Sequence, residues 1–290
     1  MNLYEREVIK ALEKKYGFMT KKTLGQNFLV DKEVIDNIVL GSEIDEETLA
    51  IEIGPGLGVI TKELCKKAGR VIAIELDKNL IPILNDLLSE YDNYIIINED
   101  VLKVKFNEII SESLNNNESL KKVRIIGNLP YYITTPIIMK ILEDNVKCNS
   151  ITVMMQKEVA DRIKAKNSSK EYGALSIAVQ YYSEIEKICD ASKECFIPKP
   201  EVDSTVLRLT IRDEEIANVK DKKLFFKVVK GGFSQRRKTL LNSLQTIPGY
   251  SKEEVKLALE KAGIDYVRRA ETLTIEEFAK LADSFFEIKG

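Results

Sequence analysis

A short stretch near the middle of the chain places an amide, a proline and two tyrosines directly after an apolar run. Residues 123–127 are followed by Asn128, Leu129, Pro130 and Tyr131. The Asn128 amide oxygen can accept a hydrogen bond from an exocyclic amine, and Pro130 restricts the backbone before it, so the Leu129 carbonyl is held in one direction. Tyr131 offers a ring face on which a flat base can stack. The stretch predicts a site for a planar amine; the alternative is a stiff turn with packed tyrosines.

Glycines and acids follow the three preceding strand-like runs. The sequence IEIGPGLG contains Gly54, Gly56 and Gly58, in G-x-G-x-G spacing rather than the G-x-G-x-x-G of a pyrophosphate loop. Glycine allows a tight turn and close approach of a ligand. Glu75 ends the next run and can accept hydrogen bonds from both ribose hydroxyls, and Asp100, after the third, can accept from an adenine amine. Singly, each acid is as well explained by a cap or a surface charge; together they predict a cofactor that contains adenosine.

The elements that must position these residues alternate along the first part of the chain. Strands are predicted at 49–53, 70–75, 93–98, 122–127 and 150–156. Helices are predicted at 4–16, 32–41 after the cap Asp31, 58–68, 77–90, 134–144 and 157–166. Short, almost wholly apolar strands between helices indicate a parallel sheet covered on both faces. The polar residues near 111–120 are interpreted as an exposed loop or helix end.

The alternation ends after about residue 182. The segments IEKICD and STVLRLTIR are predicted to be antiparallel strands that close the sheet, and the charged segment RDEEIANVKDKK is interpreted as a linker. Only helical patterns follow, two of them with Ser251 and Thr274 as N-caps. The sequence therefore predicts two domains, at residues 1–213 and 220–290, the second of them small and all helical.

Composition narrows the class of protein. The chain has 290 residues, 44% of them apolar and 31% charged, with a net charge of −2, so any nucleic-acid surface must be local. It has no histidine and no Cys-x-x-Cys, which excludes Ser-His and Cys-His mechanisms and argues against a zinc site. The N-terminal segment lacks the apolar core of a secretory signal, and no apolar run reaches the roughly 18 residues of a membrane span. We expect a cytoplasmic protein that binds neither metal nor membrane.

Seven motifs occur in an order that resembles one family. They are KTLGQNFL, IEIGPGLG, IELD, NEDVL, GNLPYYITTPII, CFIPKPEVDSTV and FFKVVKGGFSQRRKTLLNSL. From about residue 20 to its end the chain resembles the KsgA (RsmA) family of ribosomal RNA adenine N6,N6-dimethyltransferases. The resemblance implies an α/β fold: a Rossmann-like S-adenosylmethionine-dependent methyltransferase domain, with a mostly parallel seven-stranded sheet and an antiparallel edge, and a small all-helical C-terminal domain that binds RNA and the ribosome.

The same resemblance implies the reaction and the partners. It implies dimethylation of the N6 amines of two adjacent adenosines in the 3′-terminal hairpin loop (helix 45) of 16S rRNA, with S-adenosyl-L-methionine as cofactor and S-adenosyl-L-homocysteine as product. The implied partners are 16S rRNA and the immature 30S subunit, with a link to late 30S maturation. The enzyme is expected to be a monomer. A flipped target adenosine would leave its stack at a cost of about a few kcal/mol.

Roles for individual residues are also carried over by motif. The implied cofactor-binding residues are Gln26, Asn27, Leu29, Gly54, Gly56, Glu75, Leu76, Asp100, Val101 and Asn128. The implied catalytic residues are Asn128, Leu129, Pro130, Tyr131 and Phe196. Tyr131 and Phe196 would sandwich the flipped adenine, and core packing is the alternative for Phe196. Tyr132 receives no role.

Three basic clusters are candidates for contact with RNA, although each is also explained by a solvated face. They lie near residues 14–22, 157–170 and 227–238. The RNA-binding residues predicted from them are Lys21, Lys22, Arg162, Lys164, Lys230, Arg236, Arg237 and Lys238. The third cluster is the sharpest, because its basic residues lie beside an apolar helix pattern and arginine forks suit phosphate oxygens.

Three alternatives stay open at the level of sequence. A large-subunit (23S) rRNA adenine methyltransferase of the macrolide-resistance type shares the amine motif, although Leu129 and RRKTLLNSL favour the small-subunit enzyme. A non-enzymatic assembly factor would retain only the fold, and the intact Asn-Leu-Pro-Tyr motif argues against it. A nicotinamide dehydrogenase is disfavoured by the glycine spacing and the lack of histidine.

Overall fold

The computed structural model describes residues 2–18, 20–21 and 24–289, which divide into two compact units. The sheet unit comprises Met1–Ala160 and Ile185–Ile211, and the helical unit comprises Asp161–Glu184 and Arg212–Gly290. The predicted boundaries treat each domain as one continuous segment, whereas residues 161–184 belong to the helical unit. The functional labels of the two domains stay predictions.

Nine strands occur in the described residues. They are β1 (Phe28–Leu29), β2 (Thr48–Ile53), β3 (Arg70–Glu75), β4 (Tyr94–Asn98), β5 (Lys122–Asn128), β6 (Ser150–Gln156), β7 (Ser183–Ala191), β8 (Phe196–Ile197) and β9 (Ser204–Ile211). Seven of them form one sheet in the order β4-β3-β2-β5-β6-β9-β7, while β1 and β8 pair separately. The first five strands of that order are mutually parallel, and β9 is antiparallel to β6. The predicted mostly parallel sheet with an antiparallel edge is confirmed.

Twelve α-helices accompany these strands in the described part of the chain. They are α1 (Arg6–Tyr16), α2 (Lys32–Gly41), α3 (Val59–Cys65), α4 (Ile81–Leu87), α5 (Phe106–Asn116), α6 (Thr134–Glu143), α7 (Lys157–Lys164), α8 (Ala174–Tyr182), α9 (Lys222–Phe233), α10 (Leu240–Leu244), α11 (Lys252–Lys261) and α12 (Ile275–Lys289). No helix of residues 2–18, 20–21 and 24–289 has the length and apolar character needed to cross a membrane.

Local chemistry explains several helix ends. Asp31 accepts a hydrogen bond from the Val34 N–H at 3.1 Å and caps α2, as predicted. Gly17 ends α1 at φ +64°, a left-handed conformation that suits glycine. Ser251 and Thr274 accept from backbone N–H groups at the starts of α11 and α12. The interpretation of residues 111–120 as an exposed loop or helix end agrees with the structure, because α5 ends at Asn116 and most of these residues are exposed.

The core positions the strand ends. All six residues of β2 are buried, and β2 lies between β3 and β5 at the centre of the sheet. Apolar side chains of α2 and α3, among them Ile35 and Ile60, belong to the core cluster that also contains Ala50 and Ile126 of the sheet. The helical unit has its own core, which includes Phe225, Phe278 and Phe285. The carboxyl ends of the parallel strands are thus held rigidly against one another.

Candidate active site

A cavity with an empty volume of about 850 Å³ lies at the carboxyl ends of the parallel strands. Its walls come from the ends of β2, β3 and β5, from the segments that follow β4 and β5, and from the segment before β1. That volume includes the solvent-filled mouth of the cavity, through which a ligand can enter. Every residue that lines the cavity belongs to the sheet unit.

A glycine turn forms one wall of the cavity. Gly54, Gly56 and Gly58 have φ values of +70°, +58° and +79°, which side chains rarely adopt. A Cβ on Gly56 would lie 3.2 Å from the Phe28 ring, which also lines the cavity. The Gly54 N–H donates to the Ile74 carbonyl at 2.9 Å and holds the turn against β3. The predicted reason for these glycines, a tight turn open to a ligand, fits this geometry.

Glu75 is the acid at the end of β3, and it is only 6% exposed. Its Oε1 accepts from the Asp77 N–H at 2.7 Å, and its Oε2 accepts from the Gly56 N–H at 3.3 Å. Burial raises the pKa of Glu75, and these backbone hydrogen bonds lower it by less. The carboxylate therefore ties the glycine turn to β3 while it borders the cavity.

Lys21, Gln26 and Asp77 form a hydrogen-bonded group beside the cavity. Lys21 donates to Asp77 at 2.7 Å, and the Gln26 amide donates to the other Asp77 oxygen at 3.2 Å. Burial raises the pKa of Asp77, but the donors Lys21, Asn79 and Gln26 outweigh it and the pKa is lowered. Lys21, predicted to contact RNA, thus has a buried carboxylate as partner. Lys22 lies outside the described residues.

The Asn128 amide is oriented by the segment before β1. Its Nδ2 donates to the Asn27 carbonyl at 3.1 Å, and Asn27 Nδ2 donates to the Gly25 carbonyl at 3.1 Å. The Asn128 amide oxygen is the acceptor that remains for a ligand. Tyr131 is half-buried, and its hydroxyl forms a hydrogen bond of 2.8 Å with the Ser204 hydroxyl. Burial raises the pKa of Tyr131, so the group stays a neutral phenol.

Two acids, Glu99 and Asp100, follow the end of β4. Asp100 Oδ1 accepts from the Leu102 N–H at 3.0 Å, which closes a turn. The Glu99 carboxylate accepts from the Asp100 N–H at 2.8 Å. Both residues line the cavity with Val101. Together with Glu75 they make this wall acidic.

Nine of the ten predicted cofactor-binding residues line this cavity, as do four of the five predicted catalytic ones. The former are Gln26, Asn27, Gly54, Gly56, Glu75, Leu76, Asp100, Val101 and Asn128, and the latter are Asn128, Leu129, Pro130 and Tyr131. The structure therefore brings together residues that lie more than a hundred positions apart in the sequence.

Leu29 and Phe196 are the exceptions: they do not line the cavity, and their roles stay predictions. Each is 1% exposed, and they face each other in the register of the β1–β8 pair. Both belong to a core cluster with Ile126 and Met154. Because β1 and β8 are antiparallel and turn these side chains inward, the predicted sandwich of Tyr131 with Phe196 is not present in the structure.

Sequence reasoning also missed part of the lining. The residues it missed are Leu24, Gly25, Phe28, Ile53, Ile74, Glu99, Tyr132, Ile133 and Ile137. Ile53 and Ile74 end, or nearly end, their strands, so strand-end position was an available signal for both. No sequence signal distinguishes Tyr132 from a packing residue, although it is 61% exposed.

The basic clusters of the helical unit differ in their partners. Lys164 pairs with Asp161 at 3.2 Å, whereas Arg162 is exposed. Lys230, Arg236, Arg237 and Lys238 are exposed, and none forms an ion pair within the part of the chain that the structure describes. No group of three or more His, Cys, Asp or Glu side chains in that part is arranged to hold a metal ion.

Comparisons with known proteins identify relatives over almost the whole chain. The family described as "Ribosomal RNA adenine dimethylase" matches residues 17–286. A protein of Clostridioides difficile (strain 630), named ribosomal RNA small subunit methyltransferase A, is 49% identical over 281 residues, which cover 97% of this chain and 96% of that protein. The protein of the same name from Bacillus licheniformis is 49% identical over 282 residues, with 96% of each chain covered.

Solved structures share the fold. A dimethyladenosine transferase from Plasmodium falciparum matches with a TM-score of 0.74 at 23% identity, and the match covers 88% of this chain and 95% of that one. The 23S rRNA methyltransferase ErmE matches with a TM-score of 0.66 at 25% identity, over 90% of this chain and 100% of that one.

Proposed function

Because this chain belongs to the ribosomal RNA adenine dimethylase family, we propose that it dimethylates adenine N6 amines of small-subunit (16S) rRNA with S-adenosyl-L-methionine as cofactor. The relatives that are 49% identical over nearly full length are small-subunit enzymes by name, and this favours 16S over 23S rRNA. The observation that carries the proposal is the convergence of the glycine turn, Glu75, Asp100 and Asn128 on one cavity.

The residues of the cavity fit this cofactor. Glycine backbone forms one wall, where a Cβ at Gly56 would displace the Phe28 ring. Glu75 and Asp100 suit the ribose hydroxyls and the adenine amine. The acids of the same wall also complement a cation. When bound, the cofactor supplies a methyl group activated by its sulfonium charge.

The proposed role of the protein residues is to position the target amine. The Asn128 amide oxygen and the Leu129 carbonyl accept hydrogen bonds from N6, and this orients the nitrogen lone pair away from both. Tyr131, held by Ser204, supports the ring of the base. No histidine is present as a base, so positioning and electrostatics supply most of the rate.

The proposal also covers the target adenosines, the ribosomal particle, the cell compartment and the oligomeric state. The target is the pair of adjacent adenosines in the 3′-terminal hairpin loop of 16S rRNA, within an immature 30S subunit, and the enzyme acts as a cytoplasmic monomer. The exposed basic residues 236–238 support contact of the helical unit with RNA, because arginine and lysine bind phosphate.

Substitution of Asn128 tests the proposal. We expect Asn128→Ala to lower methylation of small-subunit particles that carry unmethylated 16S rRNA by about 10²–10³-fold, by analogy with loss of one preorganised hydrogen-bonding group. Mass mapping of dimethylated adenosines provides the measurement. Asn115→Ala, at an exposed position of α5, is the matched control.

Two outcomes would contradict the proposal. Unchanged methylation by Asn128→Ala would remove Asn128 from the amine-binding role. Methylation by the unaltered protein of naked 23S rRNA, but not of the small-subunit particles, would favour the function named for the ErmE structure.

A further inference from the structure

Tyr132 is an exposed aromatic residue that lines the cavity and has no part in the chemistry described above. Its side chain is 61% exposed, whereas the neighbouring Tyr131 is half-buried and bonded to Ser204. A large apolar ring left open to solvent beside a ligand cavity is available for binding.

The backbone that carries Tyr132 is fixed. The Pro130 carbonyl accepts hydrogen bonds from the Ile133 N–H at 3.1 Å and from the Thr134 hydroxyl at 3.0 Å. These two bonds close the turn that contains Tyr132 and lead into α6. Little backbone entropy is then lost when the residue meets a ligand.

The ring itself lies against the backbone of Gly25. A Cβ on Gly25 would be 3.4 Å from two carbons of the Tyr132 ring and 3.1 Å from Pro130 Cβ, and Gly25 has φ +62°. Glycine at this position therefore leaves room for the ring, which lies beside Gly25. We call the part of the cavity edge formed by Gly25 and Tyr132 the rim.

Charge decides what the rim can bind. Glu75, Glu99 and Asp100 line the cavity, and no lysine or arginine does so among its described lining residues. A phosphate is therefore repelled from the cavity, whereas a neutral base is not. Aromatic side chains stack on any base, since every base has a π-face.

We propose that Tyr132 is a stacking site for an unpaired base of the RNA, one that flanks the target adenosine, at the rim of the cavity. This inference rests on the proposed function, which supplies the RNA. Tyr131 then supports the base inside the cavity, and Tyr132 holds its neighbour outside. The contact depends on an aromatic face and involves no charge.

Three substitutions of Tyr132 separate stacking from other effects. We expect Tyr132→Ala and Tyr132→Leu to weaken binding to small-subunit particles with unmethylated 16S rRNA by about 5- to 150-fold, the range of one base–aromatic stack. Tyr132→Phe, which keeps the ring, should bind like the unaltered protein. The slope of log affinity against log salt should stay the same in all three, because no cation is removed.

A fluorescent reporter tests the contact directly. The chain contains no tryptophan, so Tyr132→Trp introduces a single indole at the rim. We expect its emission to be quenched when the particles bind in the presence of S-adenosylhomocysteine. Phe286→Trp, at a position that is 41% exposed on α12, is the control and should show a smaller change.

The outcomes distinguish this inference from the proposed function. If the unaltered protein neither binds nor methylates the particles, the proposed function fails and the inference fails with it. If the unaltered protein methylates them and Tyr132→Ala binds as well as it does, only the inference is overturned. A fall in S-adenosylhomocysteine affinity by calorimetry as large as the fall in RNA affinity would also overturn it, because the ring would then act through Gly25 and the cofactor.

Discussion

At the residue scale, Glu52 is a buried acid that the proposed chemistry does not use. It is 1% exposed in β2, and the Thr61 side chain of α3 lies near it. Burial raises its pKa from the ordinary value of 4.5 to about 8, and the charge of Glu75 adds to this, while the Thr61 hydroxyl opposes it. Within the described residues Glu52 Oε2 has no hydrogen-bond partner. Glu52 is therefore largely protonated at neutral pH.

This protonation predicts a dependence of stability on pH. An acid whose folded pKa exceeds its unfolded pKa lowers the free energy of unfolding as pH rises between the two values, here from about 4.5 to about 8. The loss is about 1.4 kcal/mol per pH unit. Glu52→Gln removes the titrating group and with it this loss. We therefore expect the free energy of unfolding of the variant to rise relative to that of the unaltered protein between pH 5 and pH 8, by about a few kcal/mol.

Melting temperatures of both proteins across this range give the measurement. Glu118→Gln, at an exposed position, makes the same change in charge and is the control. A stability difference between Glu52→Gln and the unaltered protein that did not vary with pH would show that Glu52 does not bind a proton on folding.

Single residues also show where sequence reasoning succeeds. Gly54, Glu75, Asp100 and Asn128 were predictable as a site because each follows a strand-like apolar run, and parallel strands bring such ends to one edge. Phe196, in contrast, lies in the core and does not line the cavity. Its inward direction is set by pairing with a two-residue strand that lies more than 160 positions earlier, and so short a strand leaves no periodicity to read.

At the scale of elements, the parallel strands were predicted to within one or two residues, because each is a short apolar run between polar turns. Helices were less predictable. α4 is shorter than expected, and α5 and α8 were not recognised. α8 is apolar around most of its surface and shows no clear helical stripe, so its packing partners decide its structure. α5 does carry an apolar stripe, at Phe106, Ile109, Ile110 and Leu114, which the sequence reading overlooked among the polar residues.

The glycine turn after β2 supports a prediction at this scale. Gly56→Ala places a side chain at φ +58°, which costs about 1–2 kcal/mol, and 3.2 Å from the Phe28 ring. Since that ring lines the cavity, it must shift within the site. We expect the affinity for S-adenosylhomocysteine to fall by roughly tenfold or more, as measured by calorimetry.

Gly17→Ala is the matched control for Gly56→Ala. Gly17 has φ +64° at the end of α1, but a Cβ there would meet no atom within 4 Å. It should lose similar stability and keep its affinity for the ligand. Equal losses of affinity in the two variants would mean that the Gly56 effect is one of general stability.

At the scale of the whole molecule, charge is nearly balanced, with 44 basic and 46 acidic residues. Many exposed lysines are neutralised by neighbours; Lys220 and Lys261, for example, both pair with Glu287, at 2.6 and 3.2 Å. The loop at 236–238 is different. Its backbone is fixed by bonds from Lys238 N–H to Gln235 and from Leu240 N–H to Arg268, at 2.9 and 2.7 Å, while its three basic side chains are exposed.

A fixed loop with three cations and no ion pair among the described residues predicts a salt effect. Each phosphate contact contributes about 0.7–0.9 to the slope of log affinity against log salt. We expect the combined variant Arg236→Ala, Arg237→Ala and Lys238→Ala to bind small-subunit particles more weakly and with a slope shallower by roughly two.

Lys261→Ala is the control. The Lys261 ammonium already pairs with Glu287, so its removal should leave the slope unchanged. Parallel salt plots for the triple variant and the unaltered protein would exclude this loop from the RNA interface. With Tyr132→Ala, which should lower affinity at constant slope, the two variants separate phosphate binding in the helical unit from base stacking at the cavity.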